Sequence, residues 1–386
     1  MIRAITAYTG EIDEVDAAVQ EIMAQVEGNG GLLTHSAGLV SFYAEFAETG
    51  VVEALCERLP FPVIGTTTLG AAVPGMHGGL LLTLTVLTSD EANFSAAMTA
   101  SLAGKDLQAA VAEAYARAEE ALDGPAKLIL VTAPLMIHPG DRYIDALDTV
   151  SGGVPIFGTL TCDHTTQYNQ MQALCNGVVS PDAMTILLIG GAVSPRFFCT
   201  SIEKSKIWQH SAVVTKSEGN VLMEVNNIPM PQFLESVGLA KDGVIAASIN
   251  TFPFVLDYND GTPAITRAAL GVTPEGYCVC GGLVPMGTTL SVSTFDRADV
   301  LSSAAQALDK VLSVGEGRVL LMFSCIGRNN SLGADTDAEM ALVRERLDTR
   351  LPYLFVYSGG EFCPVQGADG RETNRFHNDT LTACLL

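Results

Sequence analysis

The sequence predicts an α/β protein with mixed sheets and a layered two-domain architecture, and three observations lead to that prediction. Segments with helical periodicity alternate with short apolar runs that are typical of buried strands. Strand–helix–strand units recur along the chain, which indicates internal duplication. The length of 386 residues, 48% of them hydrophobic, suffices for two domains with a large core.

Amphipathic helices are predicted wherever apolar residues recur at intervals of three or four. The apolar stripes occupy residues 15–26, 107–122, 301–312 and 340–347. Thr336 and Glu339 precede the last stripe with the spacing of a reciprocal capping box, and Pro352 follows its end. The shorter segments 51–58 and 143–150 are also predicted to be helices.

The predicted strands are short runs rich in Val, Ile, Leu, Thr and Phe that lie between the helices. Two pairs of runs are expected to form antiparallel hairpins, residues 80–88 with 93–99 and residues 184–189 with 197–202. Such hairpins would make the sheets mixed rather than uniformly parallel.

Internal similarity is clearest in two short passages. Pro62-Val-Ile-Gly-Thr-Thr-Thr68 recurs as Pro155-Ile-Phe-Gly-Thr-Leu-Thr161, each time after a strand and a helix. A weaker third copy begins at residues 319–325 and ends at residues 352–359. Duplicated strand–helix–strand units are suitable building blocks for layered α/β domains.

The domain boundary is predicted between residues 210 and 211, where a polar stretch with Lys204, Lys206 and Trp208 interrupts the apolar pattern. The predicted domains are therefore residues 1–210 and 211–386. No long linker rich in Pro, Gly or Ser separates them, so we expect the two halves to pack as one rigid body.

The composition excludes several classes of partner. The chain has 21 Lys and Arg residues against 43 Asp and Glu residues, a formal net charge of -22 at pH 7. Such a surface repels nucleic-acid phosphates and anionic lipids, so neither nucleic acid nor membrane is an expected partner. The apolar runs are shorter than the roughly 20 residues of a spanning helix, and no signal-peptide pattern occurs at the start. Nine scattered cysteines do not suggest a disulfide framework, so we expect a reduced, cytoplasmic protein.

No cofactor or metal ion is expected. The chain contains neither a phosphate-binding loop motif nor a dinucleotide fingerprint between a strand and a helix. Cys162-Asp-His164 places three possible metal ligands close together, but no second cluster has a recognisable spacing. We therefore interpret Cys162-Asp-His164 as ordinary loop residues rather than as a metal site.

The residue types of a thiol catalyst occur near the C-terminus. Cys325 ends an apolar run and precedes a glycine and Arg328, a setting in which a thiolate could be stabilised. His377 lies downstream, so Cys325 with His377 is an alternative catalytic pair for a hydrolase or transferase. Cysteine is also common at strand ends as a small hydrophobic residue. A non-catalytic protein is therefore favoured over an enzyme.

Polar residues that follow strand ends predict a ligand site. Glu361 follows a strand and two glycines, and Arg328 ends the neighbouring strand. Opposite charges there suit a zwitterion such as an amino acid through charge-assisted hydrogen bonds, and a salt bridge between the two residues is an equal alternative. Thr66, Thr67 and Thr161 also follow strand ends, where open α/β sheets bind ligands, although threonine is a good strand former in any case.

Three passages of the chain resemble the FIST family of intracellular signal-transduction sensors. Residues 61–70 are similar to the early strand signature of the family, and residues 219–229 to the opening of its C-terminal domain. The third passage runs from residues 323–328 through Gly360 and Glu361 to residues 376–382. Ala71 is a departure, since an acidic residue is common after the glycine in the family.

The resemblance implies a FIST N-terminal domain followed by a FIST C-terminal domain, and a sensor of small polar ligands, proposed for the family to include amino acids or their derivatives. Family members are often fused to output modules, whereas little precedes or follows the two domains here. We therefore expect a separate signalling partner of the kinase, cyclase or chemotaxis type. The resemblance assigns no binding residue, and position alone predicts the ligand contacts Cys325, Arg328, Glu361, His377, Asn378, Thr66, Thr67 and Thr161.

Overall fold

Three copies of one strand–helix–strand unit build most of the protein. The computed structural model describes residues 2–165, 167–241, 244–245, 249–315, 317–348 and 350–386. The first unit consists of β1 (Arg3–Thr9), α1 (Val15–Gly28), β2 (His35–Phe42), α2 (Glu45–Glu48), α3 (Val51–Arg58), β3 (Val63–Thr67), β4 (Ala71–Val73), β5 (Met76–Gly78) and β6 (Leu82–Ser89).

The second unit repeats this order with one helix before and one helix after its central strand. It consists of β7 (Ala92–Met98), α4 (Leu107–Glu120), β8 (Ala126–Ala133), α5 (Gly140–Ser151), β9 (Ile156–Leu160), β10 (Ala173–Cys175), β11 (Val178–Ser180) and β12 (Thr185–Gly191).

The third unit opens with β13 (Arg196–Thr200) and is then interrupted by an insertion that forms its own β-rich layer. The insertion contains a 3₁₀ turn (Lys204–Lys206), β14 (Ile207–Glu218), β15 (Val221–Val225), β16 (Ile228–Pro229), α6 (Met230–Ser236), β17 (Ala240–Lys241), β18 (Val244–Ile245), a second 3₁₀ turn (Ile249–Thr251), β19 (Phe254–Asp257), β20 (Ile265–Arg267), β21 (Ala269–Val272), β22 (Cys278–Cys280) and β23 (Thr289–Ser293).

The third unit resumes after the insertion and completes the same pattern. It continues with α7 (Arg297–Val314), β24 (Leu320–Cys325), α8 (Ile326–Ser331), α9 (Ala338–Leu347), β25 (Tyr353–Ser358), β26 (Glu361–Gln366), β27 (Glu372–His377) and β28 (Leu381–Leu385).

Strand pairing links the three units in a cycle. Within the described residues, three sheets of six strands have equivalent orders: β1-β6-β2-β3-β10-β11, β7-β12-β8-β9-β26-β27 and β13-β28-β24-β25-β4-β5. In each sheet, the first four strands come from one unit and the terminal hairpin comes from another. The third copy seen in the sequence therefore has the same topology as the first two.

The sheets enclose a shared core, and each carries helices on its other face. On β8, Leu128 and Leu130 face the core between the sheets, whereas Ile129 and Val131 pack towards α4 and α5. Phe157 on β9 contacts Phe323 on β24 in the shared core, with 5.2 Å between ring centroids. The alternation follows from the period of two along a strand, and both faces are apolar because both are covered.

The α/β class with mixed sheets is confirmed, but both predicted hairpins are wrong. β6 pairs with β1 and β2, whereas β7, which follows it directly, pairs with β12 in the second sheet. Likewise, β12 pairs with β7 and β8, and β13 pairs with β28. Each short connection therefore carries the chain from one sheet to the next. In the three six-stranded sheets, consecutive strands form the antiparallel hairpins β4–β5, β10–β11 and β26–β27 instead.

The predicted capping box is also wrong. The structure begins α9 at Ala338 with no side-chain cap on Asp337, because the carboxylate of Glu339 binds Arg328 and Ser324 instead. A reciprocal capping box does occur, between Asp296 and Asp299 at the start of α7.

Strand pairing crosses the predicted domain boundary. β26 pairs with β9, and β25 pairs with β4, so residues on both sides of residue 210 share sheets. The division into residues 1–210 and 211–386 stays a prediction. No helix among the described residues is long and apolar enough to cross a membrane.

Candidate ligand-binding site

Hydrogen bonds join the ends of β3, β9 and β25. The hydroxyl group of Thr68 donates a hydrogen bond of 2.8 Å to the carbonyl oxygen of Tyr357, and the N–H of Gly359 donates one of 2.9 Å to the carbonyl oxygen of Leu160. These bonds join the three units where their strands end. That the predicted site residues bind a ligand stays a prediction, and their contacts in the structure differ from those expected.

Arg328 pairs with Glu339 rather than with Glu361. Both side chains of this pair are fully buried, and the guanidinium group donates to the Glu339 carboxylate at 2.5 Å and 3.0 Å. Further hydrogen bonds reach Ser324, Ser303 and the carbonyl oxygen of Val300. The alternative of a salt bridge between Arg328 and Glu361 is therefore wrong, because the guanidinium group binds a carboxylate on α9 instead.

Glu361 is buried and receives hydrogen bonds from two hydroxyl groups. Ser358 and Thr380 each donate at 2.6 Å to one of its carboxyl oxygens. Burial raises the pKa of Glu361 well above its usual range, and the nearby carboxyl group of Asp379 raises it further. Glu361 therefore favours the neutral acid, which is a poor partner for the ammonium group of a zwitterion.

Cys325 and His377 are both buried, and burial shifts the pKa of each. Burial raises the pKa of the Cys325 thiol well above its usual value, and the carboxyl groups of Glu361 and Asp379 raise it further. The His377 ring lies 3.0 Å from the carbonyl oxygen of Cys363 through Nε2 and 3.7 Å from Sγ of Cys199 through Nδ1. Burial lowers the pKa of His377 to about 4. These environments favour a neutral thiol and a neutral imidazole, which does not support a thiolate nucleophile.

The predicted threonines and Asn378 are buried and bind backbone groups. Thr66 donates to the carbonyl oxygen of Thr67, Thr67 donates to the carbonyl oxygen of Gln172, and Thr161 accepts from the N–H of Leu135. The amide oxygen of Asn378 accepts at 3.4 Å from the N–H of Ala268 in the insertion. Thr67, Thr161 and Asn378 therefore join segments that are distant along the chain, whereas Thr66 binds its own neighbour.

The group Cys162-Asp-His164 has structural contacts. The Cys162 thiol donates to the carbonyl oxygen of Tyr357, and the Asp163 carboxylate accepts from the N–H groups of Thr165 and Gln170. His164 stacks on Tyr43 with 4.1 Å between ring centroids. The described residues contain no group of three acidic, histidine or cysteine side chains arranged to hold a metal ion.

A cleft that carries both signs of charge lies between the three-unit body and the insertion. Its volume is about 560 Å³, and we call it the charged cleft. Its walls come from the end of α5, the loop of the insertion before β20 and the turn of the β26–β27 hairpin. The charged side chains that line it are Asp148, Asp260, Asp369, Arg371, Glu372 and Arg375.

Hydrogen bonds fix part of the charged cleft. Arg375 binds the carboxylate of Asp260 and stacks over Tyr258, with 5.2 Å from its guanidinium carbon to the ring centroid. Asn374 donates at 2.7 Å to the carboxylate of Asp148. The N–H of Ala368 donates at 3.0 Å to the carbonyl oxygen of Gly261, which joins the hairpin turn to the insertion. These hydrogen bonds connect the β26–β27 hairpin to α5 and to the insertion.

The carboxyl groups of the cleft differ in protonation preference. Burial raises the pKa of Asp148, and the bond from Asn374 opposes that effect. Hydrogen bonds from Thr262 lower the pKa of Asp260, and Arg375 lowers it further. Arg371 and Glu372 are exposed on the hairpin. The cleft therefore offers guanidinium donors and carboxylate acceptors to one ligand.

Sequence reasoning identified the polar C-terminal stretch but not these residues. The sequence feature that indicates them is the turn Gly367-Ala-Asp-Gly370 between two strand-like runs, which is followed by charges of both signs from Arg371 to Arg375. The opposite wall could not be found in this way, since Asp148 and Asp260 are more than a hundred residues away along the chain.

Two family models match most of the chain. A family model described as the FIST N domain matches residues 36–228, and one described as the FIST C domain matches residues 232–364. No curated protein matches the chain in sequence. A solved structure described as "cyanuic acid hydrolase from A. caulinodans" is similar over 100% of this chain and 99% of that chain, with 11% sequence identity and a TM-score of 0.35.

Proposed function

The chain belongs to the FIST family, whose domains are associated with sensing small ligands in signal transduction, and on that premise we propose that it binds a small zwitterion in the charged cleft. An amino acid or an amino-acid derivative is the ligand class. The observation that carries the proposal is one cleft of about 560 Å³ lined by both guanidinium and carboxylate groups.

The charges of the cleft support a ligand with an ammonium group and a carboxylate group. Arg371 can receive the ligand carboxylate, and Glu372 or Asp369 can receive the ammonium group, through charge-assisted hydrogen bonds. Four carboxyl groups against two guanidinium groups disfavour a ligand that is only anionic. The net charge of -22 acts in the same direction, because it repels anions at long range.

The volume of the cleft agrees with a small metabolite. Ligand sites commonly occupy about 300–1,000 Å³ and often lie between domains. An amino acid fills part of the cleft, and the rest admits a substituent or ordered water. Because the cleft is lined mostly by polar atoms, its specificity would depend on hydrogen bonds and charge rather than on apolar burial.

The two walls of the cleft supply a mechanism for sensing. One wall belongs to the hairpin β26–β27 and α5, the other to the loop of the insertion before β20. A ligand that binds both walls stabilises one arrangement of the insertion on the body, which is a population shift. A separate signalling protein of the kinase, cyclase or chemotaxis type would read that arrangement in the cytoplasm.

The test is a titration of the purified protein with a panel of amino acids by calorimetry and thermal denaturation. At least one amino acid is expected to bind saturably and to raise the melting temperature. At a hundred times the Kd, the free energy of unfolding should rise by about 2.7 kcal/mol. Arg371→Gln and Glu372→Gln should each weaken binding at least about tenfold, since a charge-assisted hydrogen bond contributes about 1.5–3 kcal/mol.

The matched controls are Arg58→Gln and Glu57→Gln, which remove exposed charges on α3 outside the cleft. They should leave the Kd unchanged. The proposal is wrong if no amino acid binds, or if the control variants weaken binding as much as the cleft variants do.

A further inference from the structure

A second cleft is lined by the next residues of the same insertion segment and has a different chemical character. Its volume is about 310 Å³, and the described residues that line it include no Asp, Glu, Lys or Arg, so we call it the neutral cleft. Phe197, Ile202, Ile265 and Val365 supply apolar surface. The polar groups that line it are those of Cys199, Ser201, Thr266, Gln366, His377 and Thr380.

The contacts of His377 determine which hydrogen-bonding group it offers. Its Nε2 lies 3.0 Å from the carbonyl oxygen of Cys363, and a carbonyl oxygen only accepts. Nε2 must therefore carry the hydrogen, and in the neutral ring Nδ1 is then an acceptor. Nδ1 points to Sγ of Cys199 at 3.7 Å, and both side chains line the cleft.

The acceptor on His377 has only a weak donor as its neighbour. A thiol is a poor hydrogen-bond donor, and 3.7 Å is a long contact even for sulfur. The hydroxyl groups of Ser201 and Thr266 are already bonded to each other. A ligand hydroxyl or amide N–H at this place would therefore improve the hydrogen bonding of the imidazole.

We infer that the neutral cleft is a second ligand site, which takes an uncharged molecule with an apolar body and one hydrogen-bond donor directed to Nδ1 of His377. A charged ligand would lose its hydration without an opposite charge in the lining. An uncharged ligand without a hydrogen-bond donor would leave Nδ1 of His377 with only the Cys199 thiol as its neighbour. The site therefore differs from the charged cleft in the class of ligand that it binds.

The alkylation rate of the Cys199 thiol can report whether a ligand occupies the neutral cleft. Cys199 and Cys56 are half-buried, whereas the other cysteines are buried. Burial raises the pKa of Cys199 to about 12 and that of Cys56 to about 11, so both thiols react slowly and can be compared in one sample. Cys56 lies on α3, away from the cleft, and serves as the internal control.

The experiment measures alkylation of both thiols by iodoacetamide with peptide mass spectrometry. Benzyl alcohol is the probe. Benzyl methyl ether is the matched control compound, because it has a similar apolar body but no hydrogen-bond donor. At ten times its Kd, benzyl alcohol should slow alkylation of Cys199 about tenfold and leave Cys56 unchanged. The ether and phenylalanine should protect Cys199 much less.

Two variants test the location without altering buried groups. Ala264→Trp places a large side chain at an exposed position of the lining and should abolish benzyl alcohol binding in saturation-transfer NMR. Ala24→Trp, at an exposed position of α1, should leave benzyl alcohol binding unchanged. Arg371→Gln should leave benzyl alcohol binding unchanged, so failure of the amino-acid proposal and failure of this one are distinguishable.

Three results would overturn the inference. The first is alkylation of Cys199 that benzyl alcohol does not slow. The second is equal protection by the ether, which would remove the role of the acceptor. The third is unchanged binding in Ala264→Trp, which would locate the probe elsewhere.

Discussion

Asp379 combines a left-handed backbone with a buried carboxyl group at the ends of the central strands. Its φ is 53°, it is 3% exposed, and Oδ2 has no hydrogen-bond partner among the described residues. Burial raises its pKa to about 7, while Arg328 lowers it. Cys325 and Glu361 lie near enough for the Asp379 charge to raise their pKa values. Asp379 is therefore the central group that titrates near neutral pH.

The pH dependence of stability follows from the raised pKa of Asp379. Its ordinary value is 3.8, so between pH 3.8 and about 7 the folded protein holds a proton that the unfolded chain has released. The free energy of unfolding therefore falls as pH rises through this window. His377 acts oppositely, because its pKa is lowered from 6.5 to about 4. Glu361 acts in the same direction as Asp379, since burial raises its pKa too. A comparison of the Asp379 variant with wild type at each pH therefore measures Asp379 together with its effect on Glu361.

Asp379→Asn should stabilise the protein at pH 8 and change little at pH 4. Asparagine tolerates the left-handed backbone and removes the charge. The gain in free energy of unfolding at pH 8 should be roughly 4 kcal/mol at most, from about three units of pKa shift. Urea unfolding of the variant and the wild type between pH 4 and pH 8 measures this difference in the free energy of unfolding. Asp123→Asn, at an exposed position, is the control, and a difference in stability independent of pH would contradict the account.

At the scale of elements, two glycines explain why the sequence repeats itself. A Cβ atom at Gly65 would lie 2.4 Å from the carbonyl oxygen of Val40, and one at Gly158 would lie 2.0 Å from that of Val131. In both units, the parallel neighbour approaches the strand too closely for a side chain. The third unit has Phe355 at the equivalent position, opposite Met322. The recurring Gly therefore reflects close packing of β2 on β3 and of β8 on β9.

Gly158→Ala should lower the free energy of unfolding by about 1–3 kcal/mol, since the added methyl group must displace a backbone carbonyl. Gly28→Ala is the matched control, because a Cβ at that end of α1 meets nothing within 4 Å. The control should be neutral or stabilise by up to about 1 kcal/mol. Urea unfolding compares the two, and equal destabilisation would contradict the close approach.

At the scale of the whole molecule, one segment of the insertion lines both clefts. Residues 260–262 belong to the charged cleft and residues 263–266 to the neutral cleft. The hairpin β26–β27 also contributes to both. A ligand that shifts this segment in one cleft changes the shape of the other, which is a physical route for coupling between the two proposed sites.

We therefore expect benzyl alcohol to change the Kd of the bound amino acid by about fivefold or more, and the amino acid to change the Kd of benzyl alcohol by the same factor. Calorimetric titrations in both orders measure the two factors. Pro263→Gly should reduce the coupling, since it loosens the shared segment between the clefts. Unchanged Kd values in both orders would mean that the sites are independent.

The sequence by itself determined the elements and the family. Helical periodicity predicted α1, α4 and α7, and the recurring Pro-x-x-Gly passages predicted the repeated units. These features are local, since a stripe of apolar residues or a turn signal depends on neighbours a few positions away. The motifs of residues 61–70, 219–229 and 323–382 likewise identified the FIST family without knowledge of contacts.

The tertiary structure alone decided which elements and charges meet. A buried strand such as β6 is apolar on both faces, so its sequence reports burial but not its partner, and its pairing with β2 rather than with β7 was not predictable. Arg328 on α8 meets Glu339 on α9, which packs against α7 and β25, and Asn374 meets Asp148 across 226 residues of chain. Both clefts exist only where a hairpin of the last unit and a loop of the insertion come together, and no local pattern encodes that encounter.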